Sequence, residues 1–306
     1  MGPRSGVVIG VLVAVVLGAA PAHLLAQTRT RDQWVALARG GFAVPAGETA
    51  AGLLLEMDQL LASPDPVLRD EVAYAAAERW ILRDRVVAPD DLRRIAARWT
   101  ANLTVGLGAR DDDSVFRRSF SALCLSLVAA RDVATPFFEP GEAQALADRL
   151  FDYLTRERDL RGYERTQGWM HAVAHTADAF KFLARGRHWH PANLPRLLSL
   201  VSAKAAEAGA VFQWGEPQRL AWALHAAVRR PDADTAAVEQ WIGGLEAGFK
   251  ALWAHGPGVA PGDFARVENQ LQVLRGLHLA LAADPAPTPT GETVRRAALA
   301  ALARMR

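Results

Sequence analysis

His171, His175 and Asp178 stand at offsets of zero, four and seven in the stretch GWMHAVAHTAD, residues 168–178. On a helix turning about 100° per residue they share a sector about 60° wide. Two histidines one turn apart can both reach a single divalent transition metal, and the aspartate can add a third ligand or orient a histidine from behind. Ala172 replaces the glutamate that follows the first histidine in zinc-protease helices. This stretch therefore brings no general base of its own. The alternative is a pair of hydrogen-bonded histidines bridging neighbouring helices.

On the same helical wheel, Trp169, Val173, Ala177, Phe180 and Ala184 fall on the opposite side and form a packing stripe, which puts Trp169 in the core. Phe182 shares the polar sector, with Ala172 and Ala179 beside it. A polar triplet in a partly apolar surround has the make-up of a cleft lining.

Other chemistry-bearing residues flank this stretch. Glu216 is the best acid–base candidate and Asp159 the second, either serving as general base for a metal-bound water. Glu216 alternatively complements a helix N-terminus. Arg161 can clamp a carboxylate or phosphate, or pair with Asp159 or Glu216 to hold its own loop. His188 and His190 precede Pro191 on a turn and read as surface residues. Trp214 and Trp169 neighbour the polar positions, where tryptophans either stack on ligands or pack between helices. Cys124, the only cysteine, lies in the apolar run SALCLSL and reads as a buried, inert thiol.

The elements that must position these residues are helices. The chain is rich in Ala, Leu and Arg, its apolar residues recur at helical spacing, and no segment alternates at period two. Leu68, Val72, Ala75, Ala76 and Leu82 mark one such stripe. Prolines preceded or followed by acids, as in APDD, WGEPQ and RPDAD, mark helix starts. Arg69, Arg117, His171, Arg219 and Asn269 each fall early in a predicted helix, spaced by roughly 50 residues, which is slightly longer than armadillo and HEAT-type repeats. The expected fold is thus all-α, an α/α stack of about ten to twelve helices. Its alternate helices would line a concave groove holding Arg69, Arg117, Arg161, His171, His175, Asp178 and Arg219.

Residues 1–26 read as an export signal: Arg4, then an apolar run over 6–20, then small residues allowing cleavage after Ala22 or Ala26. The run is shorter than the roughly 20 residues that span a bilayer. Export to the periplasm or beyond is expected, with an uncleaved N-terminal anchor as the alternative and the only membrane contact. Residues 27–283 are expected to form one helical domain. Residues 284–306 form a proline-rich linker and a last helix that either caps the stack or stays loose. A formal net charge of +2 over 306 residues gives no sign of the concentrated basic face that nucleic acid requires, and no nucleic-acid partner is expected.

The stretches PDPVLRDEVAYAAAERWI, DDDSVFRRSFSALCLSLV, FDYLTRERDLRGYERTQGWMHAVAHTADAF, FQWGEPQRLAWAL and ENQLQVLRGLHLAL together resemble a bacterial family known as domain of unknown function 2785. DLRGY and GWxHAVAHTAD carry most of the specificity. The resemblance implies a helical fold and brings no activity. Three functional classes follow from the residues themselves: a groove that binds a small molecule or peptide, a metal-assisted hydrolase built on His171, His175 and Asp178, or a polar network that only sets helix register.

Overall fold

A computed structural model describes residues 1–2, 29–254, 256 and 258–305. The expected apolar export run and both cleavage positions lie outside the described residues. No helix among the described residues is long and apolar enough to cross a membrane.

The chain is all-α apart from one small hairpin. Helix α1 (Arg31–Arg39) starts at Thr30, which forms a reciprocal capping box with Gln33. Helix α2 (Ala50–Glu56) is capped by Thr49 and runs into a 3₁₀ turn, Met57–Ala62. A continuous helical rod then covers residues 67–83. Only α3 (Ala75–Glu78) is regular there, and π-wound turns, Val67–Tyr74 and Arg79–Arg83, lie on either side. Of the stripe expected in this rod, Val72 and Ala76 are fully buried, while Leu68 and Leu82 pack at its edge. Wider π winding brings Ala73, Ala77, Trp80 and Ile81 inward as well.

The remaining helices are α4 (Pro89–Asn102), α5 (Ser114–Ala134), α6 (Pro140–Arg156), α7 (Ala172–Arg185), α8 (Asn193–Glu207), α9 (Glu216–Val228), α10 (Thr235–Trp253), α11 (Pro261–Ala282) and α12 (Pro289–Arg304). Proline occupies the first turn of α4, α6, α9, α11 and α12, where its missing N–H costs nothing and its fixed φ favours the helix. Strands β1 (Tyr163–Glu164) and β2 (Gly168–Trp169) pair antiparallel between α6 and α7.

Helices α5, α7, α9 and α11 pack side by side in one layer, and α6, α8 and α10 lie in a second layer against it. Helix α5 is buried almost continuously from Val115 to Asp132, because other elements cover it on most sides. Polar bonds tie α4 to α6 and α6 to α8 at nearly constant sequence separation. Arg93 donates to Glu142 (2.9 Å), Asn193 to Gln144 (3.0 Å), and Lys204 to the Thr155 carbonyl (3.3 Å), each pair 49 residues apart. Arg196 donates to Asp148 at a separation of 48. The last helix caps rather than hangs loose: α12 packs on α10 and α11 and buries Val294, Ala298 and Ala301 completely.

Candidate functional site

The two motifs with the most distinctive sequence are the two arms of one hairpin. Tyr163 pairs with Trp169 and Glu164 with Gly168. The pairing continues as Met170 N–H donates to the Gly162 carbonyl (2.9 Å) and His171 N–H to the Arg161 carbonyl (3.1 Å). The hairpin ends at His171, whose φ of 53° is left-handed, a conformation that disfavours most side chains. Helix α7 begins one residue later, and the His171 carbonyl accepts its first hydrogen bond, from His175 N–H.

His171 is therefore the N-cap of α7 rather than a member of it, which corrects the single-helix reading of GWMHAVAHTAD. The two imidazoles still meet, with ring centres 5.4 Å apart and nearly perpendicular. Trp169 is displaced from its expected core position. It is 38 % exposed on β2 and stacks on the His171 ring at 4.7 Å. Tyr163 and Trp214 pack against it at 4.7 and 6.1 Å.

His171 Nε2 lies 2.8 Å from the Trp214 carbonyl oxygen. A carbonyl only accepts, so Nε2 carries the proton and Nδ1 keeps its lone pair when the ring is neutral. Glu216, the first residue of α9, is buried; one oxygen accepts from Trp214 N–H (2.9 Å) and the other stands 3.8 Å from His171 Nε2. Burial is the main cause that lowers the His171 pKa, and Glu216 opposes it. His175 lies deeper, edge-on to Phe120 at 4.9 Å, and its Nδ1 has no hydrogen-bond partner. Burial holds its pKa well below the ordinary histidine value, and the neighbouring His171 and Arg219 add to the effect.

One turn on, Asp178 is buried with both oxygens engaged. Oδ1 accepts from Lys181 Nζ (2.8 Å) and Oδ2 from Arg219 Nη1. Tyr74 comes in from the π-wound rod, and burial pushes its pKa up to about 12, helped by the charge of Asp178. Its hydroxyl thus remains a donor at neutral pH.

A family model described as protein of unknown function (DUF2785) matches residues 103–279, more than half of the chain. The chain belongs to this family. No curated protein and no solved structure matches it. The DUF2785 match runs from before α5 into α11 and includes the hairpin, α7 and α9, while the resembling stretch at residues 64–81, in the rod that brings in Tyr74, falls outside it.

In this DUF2785 chain, five of the residues singled out by spacing come together: His171, His175, Asp178, Glu216 and Arg219. The others have different duties. Arg69 is fully buried; it donates to the carbonyls of Ser63 (2.8 Å) and Gln167 (2.7 Å) and lies over Phe116 and Phe120. It clamps the hairpin to the rod instead of lining a groove. Arg161 forks onto Asp159 (2.9 and 2.6 Å), which also accepts from Asp112 N–H, so the second acid–base candidate is occupied as a loop fastener. Arg117 turns to Asp58, 3.6 Å away.

Its neighbour Arg118 is the fully buried one, forked onto Glu157 (2.5 and 3.0 Å). The register expected from sequence selects Arg117 instead; a strict 49-residue separation from Arg69, the one that the hydrogen-bonded pairs Arg93–Glu142 and Asn193–Gln144 show, selects Arg118. His190 is exposed, whereas His188 is half-buried with Nε2 unpartnered.

The metal triplet is not assembled. Among the described residues no three His, Cys, Asp or Glu side chains are placed to hold one ion. Asp178 already binds Lys181 and Arg219 through both of its oxygens, so it is not free to join the two histidines on an ion. Cys124 is buried, and its pKa is raised by that burial.

Proposed function

We propose that this chain is a binding protein for a small ligand, seated on the solvent-facing edge of the polar cluster between α7 and α9. The observation that carries this reading is the contrast across one ion pair. Asp178 is buried, while its partner Arg219 remains 37 % exposed and lies 5.7 Å from the exposed Trp222 ring. The inner polar groups largely satisfy one another and hold the outer ones in place. The groove on this reading is narrower than the seven residues expected from spacing, because Arg69, Arg117 and Arg161 are committed elsewhere. The bonds that recur at 48 to 49 residues support reading the two layers as a repeat, with this edge on its inner layer.

A thermal-shift screen of a chemically mixed metabolite set against the wild type and Trp222→Ala tests the proposal. A ligand present at about 100 times its Kd stabilises by about 2.7 kcal/mol, which is several degrees of Tm for a chain of this size. At least one compound is expected to shift the wild type and to shift the variant much less. A set in which none shifts the wild type, or in which every hit shifts both proteins alike, overturns it.

A further inference from the structure

On the open side of α7 and α9, three cations surround two aromatic rings. Lys181 Nζ stands 4.5 Å from the Phe182 ring and 5.7 Å from the Trp222 ring. Arg185 Cζ lies 5.5 Å from Phe182, and Arg219 Cζ 5.7 Å from Trp222. Asp178, Lys181, Phe182 and Arg185 follow helical spacing along α7, and Arg219 and Trp222 lie one turn apart on α9, so each helix contributes one stripe.

The charges on this face do not cancel. Asp178 is the one carboxylate paired with Lys181 and Arg219. Arg185 makes no ion pair among the described residues. Asp284, in the segment after α11, is already bound by Arg229 (2.7 Å) and faced by His225 (3.2 Å). Arg219 binds Asp178 through Nη1 alone, which leaves Nε and Nη2 without a partner among the described residues. A guanidinium fixed at one nitrogen, with its other donors presented beside an exposed indole, is suited to a planar carboxylate.

We propose that this face takes a small organic anion, a carboxylate on a planar apolar body, with the body against Trp222 and Phe182 and the charge among Arg219, Lys181 and Arg185. The inference rests on the ligand-binding reading above and names the class of ligand. A neutral polar ligand would leave the excess positive charge unanswered, and an organic cation would be repelled by it.

The test is calorimetric titration of the chain with 2-naphthoate and with its neutral isostere 2-naphthamide. The carboxylate is expected to bind at least about tenfold more tightly than the amide, in line with a charge-assisted hydrogen bond. Arg219→Gln and Lys181→Gln should each weaken naphthoate by about tenfold and leave the amide unchanged, and Trp222→Ala should weaken both probes. Arg185→Gln breaks no ion pair, so it reports the same charge dependence if loss of the Asp178 partner unfolds the other variants. Equal affinity for the two probes overturns the anion preference while the binding site stands. Failure of both probes to bind at millimolar concentration overturns the anion preference and the seat on this face together.

Discussion

Burial keeps both imidazoles of the cluster neutral, His175 beneath Phe120 with an unpartnered Nδ1 and His171 beneath the Trp169 ring. Their folded pKa values lie below those of the unfolded chain, about 6.5 for a free histidine. The unfolded state therefore takes up protons first as the pH falls. The stability these groups contribute is complete above about pH 7 and declines as the pH drops through 6.5, by at most about 1.4 kcal/mol per pH unit for each ring. Denaturant melts from pH 8 to pH 5 should show this decline, and His175→Leu should reduce its slope. A variant whose pH profile runs parallel to the wild type would show that His175 takes no part. Of the residues chosen by spacing, those on α7 and at the start of α9 lie together; offsets make His175 and Asp178 legible as one helix face, and α9 joins them only through packing. An arginine's partner is not legible in this way. Arg69 binds a carbonyl 98 residues away, and no spacing rule identifies a backbone acceptor at that distance.

The hairpin from Tyr163 to Trp169 is the element that the sequence concealed. GWMHAVAHTAD contains no proline, and no Ser, Thr, Asp or Asn stands just ahead of Ala172 to mark a helix start, so its apolar rhythm reads as one helix. The break is a single left-handed histidine, and that alone moves Trp169 from core to surface. The glycines at 162 and 168 were visible, and their duties differ. Gly168 adopts a φ of 78° at the start of β2. Gly162 allows close approach: a Cβ there would lie 2.3 Å from Trp214 Cδ1 and 2.7 Å from a Glu216 oxygen. Gly162→Ala must therefore push Trp214 and Glu216 outward together and disturb the carbonyl that holds His171. The expected cost is about 1–3 kcal/mol, the range for overpacking a filled site. Urea melts measure that loss, and the His171 imidazole resonances should shift with it. A variant as stable as the wild type with unshifted resonances would mean that the hairpin yields without moving Trp214.

Bonds between residues about 49 apart tie α4 to α6 and α6 to α8, so each helix depends mainly on its neighbours and stability should grade along the stack instead of being uniform. The all-α class and the helix starts were legible, because proline and acid chemistry at a first turn is local. Which helix packs on which was not, since any of these apolar stripes suits several partners. The grading follows from position. Helix α5 is buried along most of its length and packs on α4 and α7, and α7 lies between α5 and α9, so opening either must break contacts on two sides. Helix α1 buries only Trp34, and α12 buries one face against α10 and α11. Native-state amide exchange is expected to be slowest in α5 and α7, to rise toward α11, and to be fastest in α1 and α12. Deleting residues 289–306 would uncover the faces of α10 and α11 that meet Val294, Ala298 and Ala301, so it should speed exchange there much more than in α5. Equal acceleration throughout would instead show that the chain opens only as a single cooperative unit and that its ends are held as firmly as its middle.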